Sequence, residues 1–310
     1  MFNYRYLGAN RLSIHNNMAL EEYALNESAL HNLATIRFWD VDKDSAVIGY
    51  GESKGNILKE DKSFDIARRI TGGSHVQFDK NCLAYSFTVP RDGSFKHFND
   101  MRKFFAERIT NALIGLGIDG AEADNRASTI NVDGKVIASH AIFWGVESAL
   151  LHGLILVDHY DVDRIIERML LKERVIGRHT YAEYDALKGM PVAKELVNGI
   201  PFGINEDKKL EYVKGRICSS VLSEVAEGHY KAEGIDDYTI NSAMKLAETR
   251  HIGSPWVEKR YPAYENDEVD AIPGEELAGS LKRNLGYCMY IEVPDKDFSK
   301  MTLPKEELHE

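Results

Sequence analysis

The apolar positions of this chain change period several times. Across residues 17–32, Met18, Leu25 and Ala29 recur at helical spacing with Glu21 and Glu22 beside them, which predicts a helix. Residues 35–39 and 46–49 are short apolar runs of strand type, and 66–70 and 83–89 flank a glycine pair in the same way, the second ending at Pro90. Met101, Phe105, Ile109, Ala112 and Leu116 return to helical spacing, with Asn99 or Asp100 placed to cap the helix and Gly117 to stop it. Asp133-Gly134 between β-like runs is the clearest hairpin signal in the chain. Residues 150–157 predict a buried strand and 161–171 a helix. Residues 172–208 are less regular, two further helices are expected near 209–227 and 237–250, and Gly234-Ile235-Asp236 separates them. Residues 260–280 are acidic, hold Pro262 and Pro273, and suit a linker; 288–293 reads as a tail strand. Strands mixed with helices in no strict alternation predict an α+β fold.

Composition narrows the function classes. The chain has 310 residues, 44% of them hydrophobic and 28% charged, enough for one large domain with an appendage. A net charge of −11, with basic residues running no longer than pairs such as Lys208-Lys209, argues against a nucleic-acid surface. No apolar run is long enough to predict a membrane span, and Met1 to Tyr6 has no apolar core of secretory type. Cys82, Cys218 and Cys288 are distant and odd in number, which suits free thiols in a reducing cytoplasm.

The candidate chemistry centres on residues 68–79, where Arg68-Arg69 run through Ile70-Thr71 into Gly72-Gly73, then Ser74, His75, Val76, Gln77, Phe78 and Asp79. Glycines let backbone approach a ligand closely, and successive N–H groups there can form an anion-binding nest. Arginine adds forked donors for phosphate or carboxylate. The pattern suits a loop that holds an elongated anionic molecule; it also suits a plain turn with a surface arginine pair.

The same loop resembles the arginine–glycine loop of the lipoate–protein ligase and octanoyltransferase family, relatives of biotin–protein ligase. Further resemblances follow in family order: Asn17 to Glu22, Ile36 to Trp39 with Ala46 to Tyr50, Leu83 to Phe87, Val132 to Ile137, Leu151 to Leu156, and Ala247 to Trp256. The resemblance implies a mixed β-sheet biotin/lipoate ligase-like catalytic domain over residues 1–260, with 261–310 a C-terminal extension. It implies activation of lipoate or octanoate by ATP with Mg²⁺ to an acyl-adenylate, then transfer to a lysine of a lipoyl-carrier protein. The tail is short for a full accessory domain, so a separate accessory subunit is an expected partner. The site it implies comprises Arg69, Gly72, Gly73, Ser74, His75, Val76, Gln77, Val136, His140 and His152 for substrate and ATP, and Lys135 as the catalytic cation.

Several positions depart from the family pattern. Ser74 stands for a glycine, His75 for an alanine and Phe78 for a histidine. Ser128 and Thr129 fall where an Asn-Asp pair is usual. An ungapped match puts Val136, not Lys135, on the position of the lysine that contacts the activated acyl group. Adjacent strand residues face opposite ways, so Lys135 could serve only if a β-bulge near Asp133-Gly134 re-aimed it. In the unbulged register Val136, Ala138 and His140 share one face.

The departures keep alternatives open. One is a non-catalytic or altered-chemistry homologue that binds an acyl ligand, a nucleotide or a carrier domain. Another is octanoyl transfer through a Cys82 thioester, which would need a depressed thiol pKa. His75, His140, His152 and Cys82 could hold a metal or move protons, or pack as ordinary buried side chains.

Overall fold

The computed structural model describes residues 2–51, 64–73, 75–161, 163–164, 175–176, 179–180, 189–252 and 256–257. Ser74, all but three residues of the helix expected at 161–171, and the extension 261–310 with its linker and tail strand lie outside the described residues.

The chain enters on a strand that its periodicity did not announce, β1 (Tyr4–Leu12). Helix α1 (Ile14–His31) follows, capped by the Ser13 side chain, which accepts from the Asn16 N–H. Then come β2 (Ala34–Val41), β3 (Ser45–Ile48), β4 (Asp65–Arg68), β5 (Val76–Phe78) and β6 (Cys82–Pro90). Helix α2 (Phe98–Gly115) begins earlier than Asn99 or Asp100 would set it. His97 is the cap residue, and Asp100 accepts the His97 N–H from inside the first turn. Strands β7 (Ala121–Asp124), β8 (Thr129–Val132), β9 (Lys135–Trp144) and β10 (Ser148–Leu156) form a meander. Asp133 and Gly134 both take positive φ between β8 and β9, the two-residue hairpin their identity predicts. After β11 (Val175–Ile176) and β12 (His179–Thr180) come a single turn α3 (Ala193–Leu196), α4 (Glu206–Ala226), β13 (Tyr230–Ala232) and α5 (Asp237–Leu246). A π-helical turn, Ala247–His251, completes the expected last helix.

Eight strands form one mixed sheet in the order β13-β1-β2-β6-β10-β9-β8-β7, parallel at β13-β1-β2 and antiparallel beyond. A small sheet, β4-β3-β5, carries the glycine loop between β4 and β5. Helices α2 and α4 cover one face of the large sheet around Phe87 and Phe105, whose rings stack 4.6 Å apart. Phe105 is fully buried, worth about 1.5–3 kcal/mol of transfer free energy. On the other face α1 packs with α5, and Met18 and Ile14 meet Trp39, Val47, Phe78 and Leu154. β6 and β10 lie at the centre and are buried along almost their whole length, so the elements that flank the cavity are fixed on both faces.

One irregularity decides which side chains reach that cavity. Ile130 pairs with Ala138 but Asn131 pairs with Val136, so Ile137 is an extra residue on β9. A bulge of this kind turns two successive side chains to one side. Ile137 and Ala138 accordingly both enter the core beneath α2. Val136 therefore does not share a face with Ala138 and His140, as the unbulged register required.

Candidate active site

A cavity of about 420 Å³ opens between the glycine loop, α1 and strands β9 and β10. That volume falls within the usual range for small-molecule sites. Met18, Trp39, Phe78, Leu154, Leu156 and Met190 give it an apolar wall. Trp39 and Phe78 stack with centroids 5.0 Å apart, so the phenylalanine at the expected histidine position thickens that wall.

At the other end Arg69, Gly72, Gly73, His75, Val76 and Gln77 border the space, with Val136, His140 and His152 across from them. Apart from Ser74, the structure brings every residue expected to touch substrate around this one cavity. Lys135 is not among its lining residues: it is exposed at the start of β9. Its Nζ lies 3.6 Å from where a Cβ on Gly189 would stand, next to Met190 of the cavity wall. The bulge falls at Ile137, after Lys135 rather than before it, and leaves Val136 facing the cavity.

Arg69 is buried and shapes the loop as well as bordering the space. Its Nε and Nη2 donate to the Gly72 carbonyl at 3.2 and 2.7 Å, and Nη1 donates to the Val47 carbonyl at 3.2 Å. The loop folds tightly against β3 because Gly49 has no side chain. A Cβ there would stand 1.8 Å from the Gly73 carbonyl oxygen, and Gly73 itself has φ 96°. Arg68, fully buried, points the other way. It donates to the carbonyls of Gly49, Tyr50, Trp256 and Val257, while Trp256 Nε1 donates back to the Arg68 carbonyl at 3.2 Å.

A buried chain of hydrogen bonds anchors the loop to α1. Trp39 Nε1 donates to Glu21 Oε1 at 3.1 Å, and Glu21 Oε2 accepts from His152 Nδ1 at 2.6 Å. Nε2 of the same ring meets the Thr71 hydroxyl at 2.7 Å, one residue before Gly72. A carboxylate only accepts, so Nδ1 carries the proton, and in the neutral ring the Thr71 hydroxyl donates to Nε2. Sequence reasoning placed His152 in the site but missed Glu21 and Thr71. They lie far from it along the chain, and Glu21 reads as an ordinary residue of an amphipathic helix.

His140 is 8% exposed, with both ring nitrogens buried and without partners. Burial, then the charge of Arg102 and the neighbouring His152, push its pKa down to about 4, so the ring is neutral near pH 7. Cys82 is sealed in the core beside β10, its Sγ donating to the Asp79 carbonyl. Burial and the nearby Asp79 push that thiol up to about 12, which leaves no thiolate for a thioester route at neutral pH. Asp79 is raised to about 6, first by burial and further by Asp44 and Asp158, against the Asn81 N–H and Lys214, which favour its charged form. Among the described residues no three His, Cys, Asp or Glu side chains converge as a metal centre would require.

Residues 13–177 match the lipoyl protein ligase A/B catalytic domain, over half of the chain. The chain belongs to that family. Lipoate–protein ligase 1 of Staphylococcus aureus (strain Mu50) is 24% identical over 252 residues, covering 80% of this chain and 71% of that protein. Lipoate-protein ligase LplJ of Bacillus subtilis (strain 168) is 29% identical over 262 residues, covering 83% and 74%. The fold matches a bi-partite lipoate protein ligase from Thermoplasma acidophilum, solved with its E2 lipoyl domain, at TM-score 0.64 and 18% identity over 84% of this chain and 99% of that one. It also matches a lipoate-protein ligase A bound with ATP at TM-score 0.62 and 19% identity, covering 83% and 99%. The mixed sheet with helices on both faces is thus the lipoate ligase catalytic fold. No described helix is long and apolar enough to cross a membrane.

Proposed function

We propose that this protein is a lipoate–protein ligase: it joins lipoate, or octanoate, to ATP as an acyl-adenylate and passes the acyl group to a lysine of a lipoyl-carrier domain. The observation that carries the proposal is the cavity itself, an apolar Trp39–Phe78–Leu154 wall ending in the Arg69–Gly73 loop. The apolar part suits a medium-chain tail and the loop suits the carboxylate and phosphate. Relatives named for lipoate ligation, one neighbour with bound ATP and one with its lipoyl domain support the same reading.

The chemistry follows from what each group can do. The acid's carboxylate attacks the α-phosphate of ATP, pyrophosphate leaves, and the mixed anhydride stays bound. The carrier lysine amine then attacks the acyl carbonyl and AMP leaves. Arg69 and the glycine-loop amides hold the adenylate phosphate, and the Glu21–His152–Thr71 chain keeps that loop in place. The tail wall excludes water from the anhydride. Lys135 acts from the rim beside Gly189, where its flexible stem can bring an ammonium to the mouth of the cavity. A separate accessory subunit is part of the proposal, as is a cytoplasmic setting.

Magnesium fits the wall poorly. Ser128 and Thr129 offer neutral hydroxyls, and no Asp or Glu stands among the described residues that border the cavity. A hard cation prefers carboxylate oxygen. The proposed steps therefore use protein groups and the three substrates (acid, ATP and carrier lysine) alone.

A second reading has its own observation. Val136 presents an apolar side chain to the cavity, and the adjacent lysine does not line it. A protein that binds the acyl ligand or the carrier domain without activating the acid would tolerate both. Lipoate-dependent exchange of pyrophosphate into ATP separates the two readings, because only the first requires it.

A further inference from the structure

Four side chains between α1 and β2 meet in two parallel contacts, and the site described above uses one of them. Asn17 and Glu21 lie one turn apart on the same face of α1, and Arg37 and Trp39 lie two residues apart on the same face of β2. Trp39 reaches Glu21. Arg37 reaches Asn17, donating from Nη1 to its carbonyl at 3.2 Å and from Nη2 to its Oδ1. Asn17 is held in turn, because its Nδ2 donates to the carbonyls of Leu12 and Asp40 at 3.1 and 3.0 Å. The sheet register continues the row: Arg37 pairs with Ser86, and Ser86 with His152. Side chains of directly paired residues emerge on one face, so Arg37 and His152 both stand on the face that α1 covers.

The Arg37 guanidinium is deeply enclosed. The residue is 1% exposed, its Nε is buried without a partner, and among the described residues no carboxylate stands within ion-pairing distance. Burial pulls its pKa down to about 10 and Glu21 opposes that fall, so the group stays charged at neutral pH. The charges of Arg37 and Glu21 thus offset each other within one enclosed layer. Glu21 accepts from both Trp39 and His152. It can serve both only as a carboxylate, because a protonated carboxyl donates from one of its oxygens.

We propose that Arg37 is a positioning residue for the acid substrate: its guanidinium fixes α1 on β2 through Asn17 and balances the buried charge of Glu21, so that Glu21 holds the Trp39 wall and the His152–Thr71 end of the glycine loop at once. Arg37 does not line the cavity and acts through Glu21. This role rests on the reading of the cavity as the acid's site, whereas the charge coupling between Arg37 and Glu21 does not.

Calorimetric titration of the full chain with octanoate reads the role without turnover, on a cycle of Arg37→Met, Glu21→Gln and the double variant. Methionine keeps much of the arginine's apolar bulk and removes its charge. Arg37→Met should weaken octanoate binding about tenfold, the scale for losing a charge-assisted contact. Arg37→Lys should recover most of that loss. The double variant carries no charge on either residue and should bind no worse than Glu21→Gln alone. In lipoate-dependent exchange the same loss should fall on KM, with kcat nearly unchanged. If Arg37→Met does not fold, Arg37→Lys and the double variant carry the comparison, and a double variant that fails to fold where Glu21→Gln folds overturns the coupling. Wild-type affinity in Arg37→Met, or single losses that multiply to about a hundredfold in the double variant, overturns the role. A folded wild type that binds neither octanoate nor lipoate removes the acid site and this role with it. Coupled losses of octanoate affinity in a protein with no lipoate-dependent exchange keep the role and remove the ligase reading.

Discussion

Nδ1 of His152 stands 2.6 Å from Oε2 of Glu21, inside the core, and this pair ties the substrate loop to the first helix. Both side chains are almost wholly enclosed. Glu21 also receives the Trp39 indole, and His152 holds Thr71, so a single carboxylate organises one wall of the cavity and one end of the glycine loop.

Glu21→Gln should cost roughly 1–3 kcal/mol of unfolding free energy, the scale for losing a buried hydrogen bond to a charged acceptor. It should also raise the KM for the acid, because Thr71 loses its anchor. Chemical denaturation and steady-state kinetics check the two effects separately. Thr71→Ala should raise KM with a smaller loss of stability, since it leaves the Glu21–His152 contact intact.

Val136 faces the cavity and Lys135 sits at its rim. Val136→Lys places a cation where charge develops, and lipoate-dependent exchange should rise by up to about 10²-fold, the worth of one well-placed transition-state donor. Lys135→Ala removes an exposed charge, and the loss should be near 1 kcal/mol, roughly fivefold in rate. Exchange kinetics on the two single variants distinguish a rim cation from one inside the cavity.

Some of this organisation was legible in the sequence and some was not. The Asp133-Gly134 hairpin could be read because few residue pairs accept two positive φ values. The glycine loop could be read from the adjacent Arg68-Arg69 and Gly72-Gly73 pairs, whereas its close approach to Gly49 could not, because those glycines lie far apart along the chain. The β9 bulge could not be read: Val136, Ile137 and Ala138 are all apolar and leave no mark of which faces the core. β1 was hidden because its parallel partners lie at residues 34–41 and 230–232, and its own register shifts between Tyr6 and Ala9.

Arg68 and Trp256 hold each other through side chain to main chain bonds in both directions. Arg250 adds its guanidinium 3.7 Å from the Trp256 ring centroid. Trp256→Ala should destabilise by about 3–5 kcal/mol. Combined with Arg68→Lys, its effect should fall short of the sum by about 1 kcal/mol or more, because both variants break the same clamp. Urea denaturation of the double-mutant cycle measures the coupling.

Asp79 gives the fold a pH dependence with a definite sign. Its carboxyl is raised to about 6 in the folded chain, so the folded state holds its proton more tightly than the unfolded one. That contribution is fully present below about pH 4, the ordinary carboxylate range, and is lost as pH rises through about 6. Asp79→Asn keeps an acceptor for the Asn81 N–H and removes the buried charge. It should therefore gain stability over wild type above pH 6, and the gain should shrink toward pH 4. Thermal melts across that window check the slope. His140 acts in the opposite sense, its lowered pKa costing stability as pH falls from about 6.5 toward 4, so His140→Ala should flatten the acid side of the profile.

The most direct test of the central claim is the exchange of labelled pyrophosphate into ATP by the purified full chain. The account predicts exchange that requires lipoate or octanoate and falls when Arg69 is replaced by alanine. No exchange above background with lipoate, octanoate or biotin, from protein that is folded and binds ATP, would contradict it.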